Sequence, residues 1–326
     1  MDNELDDELD DDTGDALSAW DFEQGATMAP GLRAWARIGD GDRYESWLAW
    51  SDRHWCPVVV KLPIPDRVGD RKVIEGLARQ ARLAGALAHP GIQRLLGTSL
   101  DMGATRADRA DHVDGSDGVD GVDGGDGAAH LVFEYAEGPT LTSSLDDEGP
   151  MHPGDVARLG MQLAGVLHYL HHGAGIAHLD VKPSNICLVD GRPVLLDFDA
   201  ACQVGRRRHP DAPIGSPPYM APEQFRDDEV TPRSDLFALG AVLYEAATGQ
   251  CPYHPEETPD GWTVPQERGA PPVSGAARLP GPLAEVIDRL LEPRPDRRPA
   301  DARSVLTALA RSLPPGEEGV WPPWVR

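Results

Sequence analysis

Four cysteines in 326 residues, at positions 56, 187, 202 and 251, form no C-x-x-C pair. That scarcity argues against a disulfide frame or a cysteine-held zinc site, and for reduced thiols in a reducing compartment. No stretch approaches the roughly 18 apolar residues of a membrane span. The opening MDNELDDELDDD lacks the basic start and apolar run of a secretory signal. Basic residues are also in deficit, 30 Lys+Arg against 54 Asp+Glu, for a formal charge of −24. No broad basic face follows from that balance, which excludes nucleic acid and anionic membrane as main partners. The expectation is a soluble, cytoplasmic chain with no membrane span.

Hydrophobic residues make up 40% of the chain, enough for a sizeable core. The length suits two domains or one large two-lobed unit. The negative charge is unevenly spread. Residues 1–25 carry −11 and residues 101–129 carry −6, so an ordinary −7 remains for the rest. Residues 1–29 therefore read as an acidic disordered tail, because self-repulsion is strong and little apolar surface is available to bury. A solubilising role is the plain reading of that tail. A docking arm for a basic regulatory protein is the alternative.

From residue 30 to about 134 the text reads as strands and one helix. LRAWARIG and RYESWLAW flank the turn Gly39-Asp40-Gly41-Asp42, which is hairpin punctuation. PVVVKLP is a third run, rich in β-branched residues. Residues 71–88 switch to helical period, with Val73, Leu77, Gln80, Ala84 and Leu87 on one stripe. His89-Pro90-Gly91 stops that helix. Between IQRLLGTSL and HLVFEY lies VDGSDGVDGVDGGDG, part of an Asp/Gly-rich insertion over 103–129. Its composition suits a mobile loop. It lacks the twelve-residue pattern and terminal bidentate Glu of a calcium loop.

After residue 138 the chain is mostly helical. Val156, Leu159, Leu163, Val166, Leu167 and Leu170 mark one amphipathic face over 155–173. Residues 233–249 are apolar nearly all round, which predicts a helix buried in a larger core. Residues 281–292 and 300–312 read as two more helices, and 313–326 as an extended tail containing proline and tryptophan. The expected architecture is α+β: a small β-rich lobe, a hinge near 134–138 and a larger helical lobe to about 312. A cleft between unlike lobes is where a ligand site is expected.

The segment HLDVKPSN, His178 to Asn185, packs a carboxylate, an ammonium and an amide into eight residues. Twelve residues beyond Asn185, Asp197 ends an apolar strand-like run, and far upstream Lys61 follows the strand PVVV. Phosphoryl transfer from a nucleotide needs a metal on the phosphates, a fixed cation and an acceptor for the hydroxyl proton. Asp197 and Asn185 offer hard oxygen ligands for Mg²⁺. Asp180 is the candidate proton acceptor, and Lys182 and Lys61 supply cations.

These residues resemble the motifs of the eukaryotic-type Ser/Thr protein kinases of bacteria, especially those of actinobacteria, over residues 32–312. VVVK resembles the third-strand lysine motif, HLDVKPSN the catalytic loop and DFD at 197–199 the metal-binding DFG. GSPPYMAPEQ at 215–224 resembles the substrate-facing segment, SDLFALG with Asp235 the buried anchoring helix, and RRP with Arg298 the arginine that pairs with Glu223. Six motifs in the right order are far more specific than any one. The resemblance implies a two-lobed kinase fold, ATP with Mg²⁺ (or Mn²⁺) as cofactors, and a protein substrate bearing a Ser or Thr acceptor. It implies Glu134 and Ala136 as backbone partners of adenine, Phe133 as gatekeeper, and Val59 and Cys187 on either side of the ring.

Departures from the family pattern are specific. Gly39 and Gly41 of the nucleotide loop stand, but Tyr44 holds the third glycine position and Ser46 that of the covering valine. The helix residue expected to pair with Lys61 is Gln80, which can accept a hydrogen bond but supplies no charge. Glu75 is five residues away, about 500° around the helix, and cannot replace it. Leu179 stands where the catalytic loop has arginine, and Asp197 to Glu223 contains only Ser216 and Tyr219 as hydroxyls. That combination implies activity without activation-loop phosphorylation. Asp199 replaces the glycine of DFG, as an added metal ligand or a solvated acid. The leading expectation is a Ser/Thr kinase. A pseudokinase acting as a nucleotide-binding or scaffolding module is the alternative, and a small-molecule kinase a distant third.

Overall fold

The computed structural model describes residues 18–100, 128–205, 215–226, 231–258 and 261–313. Most of the acidic tail, nearly all of the Asp/Gly insertion, the arginine cluster 206–208 and the C-terminal tail lie outside the described residues. The chain divides into two compact units, one of residues 1–78 and 96–133, the other of 79–95 and 134–326.

The smaller unit is built on β1 (Thr27–Ala29), β2 (Leu32–Asp40), β3 (Tyr44–Ser51), β4 (Cys56–Pro63), β5 (Leu95–Ser99) and β6 (His130–Glu134). They form one sheet in the order β1-β2-β3-β4-β6-β5. The β2–β3 hairpin closes where the Asp/Gly turn is expected, with Asp40 opposite Glu45. On β3, Tyr44, Trp47 and Ala49 are buried, and β4 is buried from Val58 to Leu62, as its β-branched run implies. Ala34, Trp47, Val58, Val60, Leu62 and Val132 form the core of this unit. Helix α1 (Arg71–Gly85) crosses the division of the chain at residue 78. It ends three residues before the expected stop at 88, ahead of His89-Pro90-Gly91.

One boundary differs from the sequence reading. Residues 18–29 belong to the smaller unit instead of the tail. Trp20 stacks on Phe22 with ring centroids 5.1 Å apart, and Phe22 meets Trp47 edge-on at 5.3 Å. The Trp20 indole donates to the Pro63 carbonyl at 2.8 Å, and its backbone N–H to the buried Glu45 carboxylate. The acidic composition of the first 25 residues hides two large aromatics whose burial outweighs the local charge.

The larger unit contains α2 (Leu141–Glu148), α3 (Pro153–His168), β7 (Ile176–Ala177), β8 (Ile186–Val189), β9 (Arg192–Leu195), β10 (Cys202–Gln203), α4 (Pro222–Phe225), α5 (Pro232–Thr248), α6 (Val273–Ala276), α7 (Gly281–Leu290) and α8 (Ala302–Ser312). α5 is buried almost throughout, as its uniform apolarity predicts, and packs against α3 and α7. Thr231 caps its N-terminus by accepting from Arg233 N–H, and Gly249 ends it in the left-handed conformation at φ 75°. The helix expected over 155–173 stops at His168. The next six residues form a wider i→i+5 turn that ends at Gly175. That turn carries His171 into the interior. No helix among the described residues is long and apolar enough to cross a membrane.

Candidate active site

The residues singled out in the sequence divide between the two units. In the smaller unit Lys61 lies on β4, opposite Ser46, and is buried. Tyr44 is buried beside it. Its hydroxyl donates to the Val73 carbonyl at 2.8 Å, and the Lys61 ammonium lies 5.1 Å from its ring centroid. Val59 is buried opposite Leu48, and Phe133 is buried on β6. Gly39 pairs with Ser46 and Gly41 begins the hairpin loop, neither with a positive φ.

The remaining candidates belong to the larger unit. Asp180, Lys182 and Asn185 sit on the stretch between β7 and β8, and Ser216 approaches from far along the chain. The Asp180 carboxylate collects three contacts. Oδ1 accepts from Ser216 N–H at 2.8 Å. Oδ2 accepts from Asn185 Nδ2 at 3.0 Å and lies 3.0 Å from Lys182 Nζ. Asn185 Nδ2 also donates to the Asp180 carbonyl at 2.9 Å. Lys182 Nζ donates to Ser216 Oγ at 2.5 Å. With its amide N–H groups committed to Asp180, Asn185 keeps its carbonyl oxygen for another partner. Charge-assisted bonds of this kind hold a carboxylate in one orientation.

What fixes this stretch is a buried acid. Asp235, near the start of α5, is fully buried, accepts from His178 N–H at 2.8 Å and from Leu179 N–H at 2.7 Å, and lies 2.8 Å from His171 Nε2. Burial alone would raise the Asp235 carboxyl. The His171 hydrogen bond and the neighbouring charges outweigh it and hold the group below the usual carboxylate range. Sequence reading finds Asp235 but misses His171, because the wider turn that carries it in leaves no periodic signal. Leu179 adopts φ 65° and packs its buried side chain with Ala177, Ala200 and Cys202. Its carbonyl accepts from Gln224 Nε2 at 3.0 Å.

Asp197, just past β9, also has a positive φ, 52°. Its Oδ1 accepts from Asp199 N–H at 3.1 Å and from Gln80 Nε2 at 2.9 Å. Gln80 is buried, and its Oε1 has no hydrogen-bond partner among the described residues. The expected acceptor role toward Lys61 is therefore corrected. Gln80 is a donor to Asp197, a part a glutamate could not play while ionised. The Asp199 side chain is 17% exposed, and its Oδ1 lies 3.7 Å from Arg79 Nη2. Arg79 also donates to the Asp199 carbonyl at 3.1 Å. No sequence signal marks Arg79, since arginine beside the helix stripe is common. Phe198 is buried edge-on to the His178 ring, centroids 4.8 Å apart.

The backbone of Glu134 is already engaged. Its N–H donates to the Arg94 carbonyl and its carbonyl accepts from Gln93 Nε2, both at 2.9 Å. Cys187 is buried on β8, its thiol 3.3 Å from the Ala136 carbonyl, and burial pushes its pKa up. Glu223 and Arg298 form a bidentate buried pair at 2.7 and 2.9 Å, as the sequence implies. Ser234 adds a third bond to Glu223.

The family model described as protein kinase domain matches residues 35–309. The chain belongs to the protein kinase family. Among curated proteins it is 35% identical over 189 residues to the serine/threonine-protein kinase AfsK of Streptomyces griseus, which covers 56% of this chain and 22% of that one. It is 29% identical over 300 residues to pkn3 of Myxococcus xanthus, covering 87% of this chain and 50% of that one. It is 29% identical over 287 residues to PknB of Mycobacterium tuberculosis, covering 85% of this chain and 42% of that one. The chain thus spans half or less of the length of these relatives.

Proposed function

We propose that this chain transfers the γ-phosphoryl group of ATP to serine or threonine hydroxyls of protein substrates. The observation that carries the reading is the set of contacts on Asp180. A carboxylate held at both oxygens by Lys182, Asn185 and the Ser216 backbone is a proton acceptor of fixed direction beside a fixed cation. Asp180 accepts the proton of the attacking hydroxyl, and Lys182 offsets charge that builds on the transferred group. Lys61 is the cation for the phosphate chain, while Val59, Phe133, Glu134, Ala136 and Cys187 serve the adenine, and Gly39 and Gly41 the loop over the phosphates.

The donor set suits a hard divalent ion. Asn185 contributes an amide oxygen whose N–H groups are turned to Asp180, and Asp197 a carboxylate. Among the described residues no cluster of three or more His, Cys, Asp or Glu could hold a metal alone. A hexacoordinate ion would complete its shell with phosphate and water oxygens, as Mg²⁺ does in nucleotide sites. When bound, Mg²⁺ or Mn²⁺ supplies neutralisation of phosphate charge.

Leu179 buried among Ala177, Ala200 and Cys202 supports activity without activation-loop phosphorylation, because no arginine there awaits a phosphate. A second reading, nucleotide binding without turnover, draws on Gln80, which brings no charge for Lys61 and donates to Asp197 instead. One assay separates the two: the full chain with labelled ATP, Mg²⁺ or Mn²⁺ and a generic acceptor protein, against Asp180→Asn. Label transfer lost in the variant supports the kinase. ATP binding with no transfer supports the second reading.

A further inference from the structure

We infer that Tyr44 is a positioning residue for Lys61, holding through its ring the ammonium that an ion pair from the helix would otherwise hold. The inference deepens the kinase reading and rests on it.

Three observations within the smaller unit carry it. Lys61 Nζ lies 5.1 Å from the Tyr44 ring centroid, inside the roughly 6 Å range in which a cation is drawn to a π face. The register explains why the two meet. Lys61 is opposite Ser46, and Tyr44 lies two residues before Ser46 on the same face of β3, so Tyr44 and Lys61 are diagonal cross-strand neighbours. The Arg43 guanidinium, 5.8 Å from the centroid, also contacts this ring.

Second, the ring is pinned. Tyr44 is 8% exposed, and its hydroxyl donates to the Val73 carbonyl on α1 at 2.8 Å. Third, α1 makes room for it. A Cβ added at Gly76 would collide with the Tyr44 hydroxyl. Glycine inside a helix costs stability relative to alanine, so an interior glycine here matches the tyrosine. A side chain so seated orders the loop end instead of leaving it open, as a glycine would. Gln80 brings no charge, and its amide nitrogen donates to Asp197. The aromatic face therefore supplies electrostatic attraction that the helix residue does not.

The test replaces residue 44 in the full chain. Tyr44→Phe keeps the ring and loses only the Val73 bond. Tyr44→Leu keeps apolar bulk without a π face. A series of mono-, di- and trifluorinated phenylalanines at 44 preserves shape while draining the ring of its negative face. The readouts are the Kd for MgATP and kcat/KM for ATP, with melting temperature alongside. The expected result is that Tyr44→Phe weakens ATP use least. Fluorination then lowers it stepwise, by about two- to thirtyfold across the series, at nearly constant melting temperature. A role confined to packing would give a flat series, and that overturns the inference even if Tyr44→Leu fails to fold. Lys61→Ala separates this failure from the larger one. If Lys61→Ala loses ATP affinity while the series is flat, only the role of Tyr44 falls. If Lys61→Ala binds and uses ATP like the wild type, the kinase reading of Lys61 falls and the inference with it.

Discussion

Gln80 donates one amide hydrogen to Asp197, with Nε2 2.9 Å from Oδ1, and leaves its own Oε1 with no hydrogen-bond partner among the described residues. The arrangement joins a helix side chain to the proposed metal ligand at the expense of an orphaned buried acceptor. Gln80→Met removes both. The lost bond to a charged acceptor costs about 1.5–3 kcal/mol, and relief of the orphan recovers a similar amount. The fold should therefore melt within a few degrees of the wild type. The Mg²⁺ requirement should still rise by about 10–100-fold, as when a partner that orients a metal ligand is removed. Titrating turnover against Mg²⁺ decides it, and an unshifted curve shows that Gln80 does not orient Asp197.

Asp180→Asn should lower phosphotransfer by about 10²–10⁴-fold with little change in melting temperature, because it removes a proton acceptor and leaves the shape. Rapid-quench turnover with labelled ATP measures this. Wild-type turnover in the variant would remove Asp180 from its proposed role.

Asp235 makes the larger unit acid-sensitive. Its folded-state carboxyl lies below the usual 3.8. A depressed acid stabilises the fold above its unfolded pKa, and that stability is lost as pH falls through the folded value. Wild-type stability should therefore drop below about pH 4, and Asp235→Asn should flatten that limb. The variant should also lose about 3–5 kcal/mol at pH 7, since one partner of a buried network has gone. Urea unfolding from pH 3 to pH 8 tests both statements. An acid limb unchanged in Asp235→Asn would assign it to other carboxylates.

Phosphatase treatment should leave activity unchanged. Switching by phosphorylation needs an arginine to meet the phosphate. Leu179 takes that position with its side chain buried in an apolar cluster. Residues 198–215 contain no Ser, Thr or Tyr. Loss of most activity on dephosphorylation, with the mapped site at Ser216, would reverse the conclusion.

Much of this was legible in the sequence for a physical reason. Lys61, Asp180, Asn185 and Asp197 lie at fixed distances in short motifs, and the period of α5 is unmistakable. What escaped depends on side chains meeting across long separations. Arg79 and Asp199 are 120 residues apart, and His171 reaches Asp235 only through a turn that breaks helical period. The Gln80 bond to Asp197 leaves no mark in the sequence, because a glutamine can donate or accept, and only its neighbour decides. Composition places residues 18–29 in the tail because it averages over a window, while Trp20 and Phe22 act singly.

That aromatic arm bears on where the domain can be cut. A chain trimmed to begin at Pro30, where the acidic composition ends, would strip Trp20 and Phe22 from Trp47. It would also remove the Trp20 N–H from the buried Glu45 carboxylate, which lies 3.1 Å away. The exposed indole and under-bonded acid would favour clumping during expression. An inactive preparation of that length would be mistaken for a catalytically dead protein when it had only lost its lid of tryptophan and phenylalanine.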